Sequence, residues 1–248
     1  MFLILCLAVL GLLVGSFIGL VSLRLPQGRQ VVAGRSACGD CGRTLAPWDL
    51  VPIVSYLVWR GRCRTCRATI PWRYPAIEMA CAGIGVWAGL FAGGDWPLAV
   101  VTAALGWQLL LIALIDAETF WLPDLLTWPL ALTGMAAAAW VHPDQIMARL
   151  IGAVAGFAAL QAIRLGYRAL RGREGLGGGD PYLLAAIGAW VGWVGLPSVL
   201  VWASLAGLSL VAAARLTGRR MGATDRMPFG SLMAVGAWMT WLIGPLGV

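Results

Sequence analysis

The chain has no lysine, one histidine and few charges of any kind: only 12% of its 248 residues are charged. A soluble domain averages about a quarter. This shortage, with 60% hydrophobic residues and a mean hydropathy of +0.82, excludes a soluble globular protein and implies a polytopic membrane protein. The run Gly177-Gly178-Gly179 ends in Asp180, with no Gly-Lys-Ser/Thr ending and no preceding strand, so it is not a phosphate-binding loop. Residues 1–23 lack a basic n-region and a convincing small-x-small cleavage site, and their apolar run is too long for a signal peptide, so they read as an uncleaved first span. His142 and Asp95 fall in short loops and carry no assigned chemistry.

Long apolar runs are what the chain has in plenty. A spanning helix needs about 20 mostly apolar residues. About eight stretches qualify or come close: 2–23, 75–94, 97–115, 123–141, 147–167, 181–196, 197–214 and 228–246. The sixth is the shortest, and Pro197 marks its boundary with the seventh. All the basic residues are arginines. Nine lie between Arg24 and Arg73, four between Arg164 and Arg173, four between Arg215 and Arg226; only Arg149 stands apart. With eight spans these clusters fall on one side, which the positive-inside rule makes cytoplasmic, and both termini face outward. The expected organisation is an all-α membrane protein: a first transmembrane helix (1–23), a cytoplasmic metal-binding domain (24–74) and a seven-helix membrane domain (75–248).

The loop between the first two spans holds Cys38-Gly-Asp-Cys41 and Cys63-Arg-Thr-Cys66, separated by 21 residues. Two C-x-x-C turns each present two thiolates, and together they complete a tetrahedron around zinc. Gly39, Gly42 and Gly61 suit such turns. So short a segment builds little core, so a metal would supply its folding energy. Disulfides are the alternative, disfavoured in a reducing compartment. Cys6 and Cys81 read as buried apolar side chains. The arginines of this loop read as a surface resting on anionic headgroups, not a nucleic-acid site.

The acidic residues carry the chemistry. An aspartate in or beside a span is costly and marks function by default. Asp116 closes the third apolar run, at a helix carboxyl end where negative charge is disfavoured. Glu118 and Asp124 follow, and Asp124 after Pro123 suits the first turn of the next helix. Asp180 before Pro181 reads as a helix cap. Asp116 and Asp180 emerge on one membrane face, and two carboxylates there suit aspartic proteolysis. Gly175, Gly177, Gly178 and Gly179 would let a substrate backbone approach, and Glu118, Asp124 and Glu174 would receive a basic segment. By helix position, Asp180 is the expected base and Asp116 the expected acid.

In order along the chain, several pieces resemble the bacterial prepilin leader peptidase family. They are Gly15-Ser16-Phe17, Arg24-Leu25-Pro26, the two cysteine pairs, Pro52 to Tyr56, Arg60-Gly61-Arg62-Cys63, and Arg73-Tyr74-Pro75 with Glu78. Ile115-Asp116 with Leu122-Pro123-Asp124, Gly177 to Asp180 with Leu183 to Trp190, and Pro228-Phe229-Gly230 complete the set. The resemblance implies that Asp116 and Asp180 are catalytic. It implies cleavage of the basic leader of type IV prepilins or type II secretion pseudopilins after a glycine, in the bacterial inner membrane. It also implies N-methylation of the new terminus with S-adenosylmethionine. The chain departs from the family pattern at Tyr182, where lysine is common, at Gly19 and Leu50, where asparagine is usual, and at Ser231, where the last motif ends in proline. A proton-coupled transporter or scaffold with a zinc ribbon is the alternative from the residues alone, and a peptidase without methylation is another.

Overall fold

The computed structural model describes residues 1–31, 34–172, 175–218 and 227–247. Arg173, Glu174, Arg219, Arg220 and Arg226, singled out by the sequence, lie outside them. The described residues form helices α1 (Phe2–Arg24), α2 (Val54–Val58), α3 (Arg73–Phe91), α4 (Trp96–Thr119), α5 (Asp124–Val141), α6 (Ile146–Arg171), α7 (Asp180–Leu216) and α8 (Phe229–Ile243), and no strand. The chain divides into two units, Met1–Trp107 and Gln108–Val248, with the division inside α4.

In the first unit α1 and α3 pack antiparallel through glycines. Gly11 lies on the Cys81 backbone, Gly15 on Glu78, Gly85 on Leu7 and Gly89 on Ile4. A Cβ on Gly15 would come within 2.6 Å of the Glu78 Cα, so any side chain there forces the helices apart. Close backbone approach is how helices gain packing energy where lipid removes the hydrophobic drive. Both helices leave large apolar side chains such as Leu5, Leu13, Trp87 and Leu90 exposed, as a lipid-facing surface requires.

The second unit is organised by α7, which packs on α6, α8 and α5. The α6 contact again uses glycine: Gly156 meets the Leu184 carbonyl, and Gly152 and Gly188 meet each other. Trp190 is fully buried, and its indole N–H donates to the Leu130 carbonyl at 2.8 Å. Arg149, the arginine outside the three clusters, is buried with its guanidinium 5.5 Å over the Trp241 ring.

The expected all-helical architecture is what forms, but the spans do not match one for one. Among the described residues six helices are long and apolar enough to cross a membrane, and α8 is shorter. The sixth and seventh expected spans are the two legs of α7, and they divide at Gly192 (φ 71°, ψ 176°), not at Pro197. That conformation is open to glycine and costly to other residues, whereas Pro197 sits inside the second leg. Trp190 packs edge-on against Trp241 near the end of α8, while Gly207 packs on Leu232 near its start. The chain therefore reverses at Gly192. The first leg, at about 1.5 Å per residue, is roughly 18 Å long, short of the about 30 Å of hydrocarbon.

Candidate active site and metal centre

Asp116 lies one turn before the end of α4 and is buried, at 6% exposure. A carboxylate at its own helix's carboxyl end is poorly placed, but the amino end of α8 corrects this. The Ser231 N–H donates to Asp116 Oδ2 at 2.6 Å. The first N–H groups of a helix have no intrahelical acceptor and favour negative charge. The Ser231 hydroxyl lies 3.1 Å from the same Oδ2 and 2.8 Å from the Ala113 carbonyl. A Cβ on Gly230 would stand 3.0 Å from the Asp116 carboxyl, which explains glycine there.

Asp180 is equally buried. It is the first residue of α7, after Gly179, so it is not the cap the sequence suggested. Its carboxylate turns back: Oδ2 accepts from the Gly177 N–H at 2.9 Å. The glycine run thus serves the aspartate directly. Gly179 is needed for a second reason, because a Cβ there would lie 2.6 Å from the Leu122 carbonyl. Leu122 belongs to the turn joining α4 to α5, where Phe120 takes a left-handed φ of 52°, rare for a bulky residue. This strained turn carries the backbone after Asp116 onto the glycine before Asp180.

The two carboxylates are close enough to act on each other electrostatically, and Arg164 of α6 acts on Asp180 too. Arg164 also stands 3.8 Å from where a Cβ of Gly178 would be. Positive charge therefore reaches Asp180 from α6, while Tyr182, at the position of the expected lysine, packs against Phe157 with ring centres 5.2 Å apart. Glu118 and Asp124 are exposed, with Asp124 the first residue of α5.

The four cysteines meet in the first unit. The Sγ atoms of Cys38, Cys41, Cys63 and Cys66 all lie within 4.8 Å of one another, a set able to hold a metal ion. Two matching turns build it. Gly42 N–H donates to the Cys38 carbonyl and Arg67 N–H to the Cys63 carbonyl, each at 3.0 Å. Gly42 has φ 68°, and at the corresponding place in the second turn Arg67 has φ 63°, so only one turn uses the glycine that suits it. Arg43 joins the turns, donating to Thr65 at 3.0 Å and pairing with Asp49 at 2.8 Å. Hydrogen bonds from the Cys66 and Thr65 backbones pull the Cys63 thiol down to about 6. The Ala68 backbone acts the same way on Cys66, but burial and the three neighbouring thiols push it up to about 12. Four thiols this close resist ionising together, and a cation relieves that repulsion.

Two residues of this part of the chain carry more than the sequence reading gave them. Glu78 is buried, and its Oε2 accepts from the Ile53 N–H at 2.8 Å. Ile53 has φ 59° and ψ −50°, with the Val54 N–H 2.5 Å from the Pro52 carbonyl, a strained γ-turn. An acid one turn into an apolar helix was the available signal; its partner in a distant loop had none.

Fold and site together define a multi-pass membrane protein with two buried, mutually interacting aspartates and a four-thiol cluster. The comparisons with known proteins make this specific. Residues 9–91 match the Bacterial Peptidase A24 N-terminal domain, and residues 103–212 match the Type IV leader peptidase family. Proteins named prepilin leader peptidase/N-methyltransferase are similar along nearly the whole chain. The one from Burkholderia pseudomallei (strain K96243) is 38% identical over 95% of this chain and 84% of its own length. Those from Pseudomonas aeruginosa and Dickeya chrysanthemi are 35% and 37% identical, over 97% and 98% of this chain and 90% and 94% of theirs. No solved structure matches significantly. The chain belongs to the type IV leader peptidase family.

Proposed function

We propose that this chain is a membrane aspartic endopeptidase that removes the basic leader from prepilins or pseudopilins and then methylates the new amino terminus. The observation that carries the peptidase reading is the pairing of Asp116 and Asp180: both buried, each held by a backbone N–H, and within electrostatic reach of each other. The methylation reading rests on the family, whose relatives carry both activities in their names.

Two buried carboxylates that repel each other do not both ionise readily, so the pair shares a proton. The ionised partner takes a proton from water, and the resulting hydroxide attacks the carbonyl carbon of the scissile glycine. The protonated partner hydrogen-bonds the carbonyl oxygen, and the proton taken from water passes to the departing amine as the C–N bond breaks, which returns the pair to its singly protonated state. Helix position alone favoured Asp180 as base. The donors around Asp116, the N–H and hydroxyl of Ser231, favour the opposite assignment, because an anion is a pure acceptor and the Asp180 carboxylate has only the Gly177 N–H among its described hydrogen bonds. We therefore assign Asp116 as the starting base and Asp180 as the starting acid.

Glu118 and Asp124, exposed on and after the end of α4, receive the basic leader in this reading. Gly177 and Gly179 pass the substrate backbone, although their described contacts are internal to the site. S-adenosylmethionine is the methyl-donating substrate. Cys38, Cys41, Cys63 and Cys66 would hold zinc, the ion that four thiolates suit, and their Sγ atoms already lie within 4.8 Å of one another. Bound there, zinc ties the two turns together structurally. The arginine clusters support a cytoplasmic position for the cysteine loop and both aspartates, at the inner membrane.

The test is the purified protein in detergent with a prepilin-type substrate, read by gel shift and by mass spectrometry of the product's amino terminus. Asp116→Asn and Asp180→Asn should each lower cleavage by about 10³-fold or more while leaving the melting temperature unchanged. Full cleavage by either variant sinks the dyad. A cleaved product that stays unmethylated when S-adenosylmethionine is supplied sinks the second activity.

A further inference from the structure

We infer that Ser231 is a positioning residue for Asp116, fixing one carboxylate oxygen and turning its hydroxyl as the proton comes and goes. This rests on the dyad reading above. The last motif of the family resemblance ends in proline at this position, and proline has neither an N–H nor a hydroxyl. Serine here supplies both. Its N–H reaches Asp116 Oδ2 at 2.6 Å, and its hydroxyl stands between Oδ2 at 3.1 Å and the Ala113 carbonyl oxygen at 2.8 Å.

One hydroxyl carries one hydrogen, so it serves these two acceptors in turn. While Asp116 is an anion, Oδ2 is the stronger acceptor and takes the hydroxyl hydrogen. Because Oδ2 is held by the Ser231 N–H, Oδ1 is the oxygen left for water. When Oδ1 takes the proton from the attacking water, Oδ2 becomes the carbonyl oxygen of a neutral acid and a weaker acceptor. The hydroxyl then swings to the Ala113 carbonyl, on the same helix as Asp116 and three residues before it. When Asp116 gives its proton up, the hydroxyl returns. No bond to Ser231 forms or breaks; the residue matches its hydrogen bonding to each charge state of the aspartate. A hydroxyl bound to Ala113 alone would only brace α8 against α4.

The experiment is steady-state cleavage of a prepilin-type substrate by the full-length protein in detergent, with Ser231→Ala and Ser231→Thr. Alanine keeps the N–H and removes the hydroxyl; threonine keeps both. Ser231→Ala should lower kcat about 5- to 20-fold, with KM and melting temperature unchanged, because Ser231 contacts the aspartate and not the leader. Ser231→Thr should recover at least half of the rate. Unchanged kcat in Ser231→Ala overturns the inference, as does a loss of melting temperature without a loss of rate, or a threonine variant no better than alanine. If Asp116→Asn is inactive while Ser231→Ala matches the unaltered protein, only the role of Ser231 fails. If Asp116→Asn cleaves normally, the dyad reading fails instead.

Discussion

The cysteine loop and the glycine-packed helices of the second unit achieve order by different means. In the loop, order is local and polar. Each C-x-x-C turn closes through backbone hydrogen bonds four residues apart, and Arg43 braces one turn against the other. Among its described residues only the occasional side chain, such as Cys63, is fully shielded from solvent. In the second unit, order is long-range and steric. Gly152 on Gly188, Gly134 on Trp190 and Gly236 on Val199 bring helices together that are far apart in sequence. The difference teaches where each part is vulnerable: the loop at its two turns and four thiols, and the bundle at side chains that are absent.

With zinc held by the four thiols as proposed, removing it should expose that division most sharply. Structural zinc in small domains contributes about 10–16 kcal/mol. Chelation, or Cys63→Ser, should therefore unfold the loop and open residues 34–70 to protease, while the melting of the second unit stays where it was. Coincident loss of both units would break the comparison. Gly236→Ala should do the reverse. The added Cβ meets the Val199 carbonyl and the Ala203 backbone nitrogen, neither of which can turn aside, so overpacking should cost about 1–3 kcal/mol. The second unit should melt earlier with zinc content unaltered; a variant as stable as the original would mean that α8 and the second leg of α7 separate freely. The smallest effect is electrostatic. Arg164→Ala withdraws the positive charge acting on Asp180, and cleavage should slow several-fold without a change in melting or zinc content, whereas Tyr182→Phe should change little. Equal rates for the Arg164 variant would leave Asp180 to its backbone donor alone.

The cysteine cluster was legible because its logic is local. C-x-x-C spacing states which four residues meet, and Gly42 states one turn's handedness; Arg67 at φ 63° carried no such signal, since the fold and not the residue type imposes that conformation. The helices were legible from apolar runs. The break in α7 was misplaced because Pro197 is the louder residue in the sequence, yet a proline inside a helix is tolerated when neighbouring helices support it. Gly192 is one glycine among 33, and only its conformation distinguishes it. Glu78 showed itself as an acid near a helix start, but not as the acceptor for a strained loop 25 residues away.

The sequence by itself determined the helical class, the four thiols and the two aspartates at helix ends, because hydropathy, spacing and charge cost are properties of short stretches. Tertiary structure alone decided how the aspartates are held. Asp116 sits at the wrong end of its own helix for a negative charge, and its donors come from α8, more than a hundred residues away. Asp180 takes the Gly177 N–H behind it and the field of Arg164 from a different helix. Hydrogen bonds and Coulomb forces act over a few ångströms through space, so what a carboxylate is surrounded by is settled only when the helices have packed.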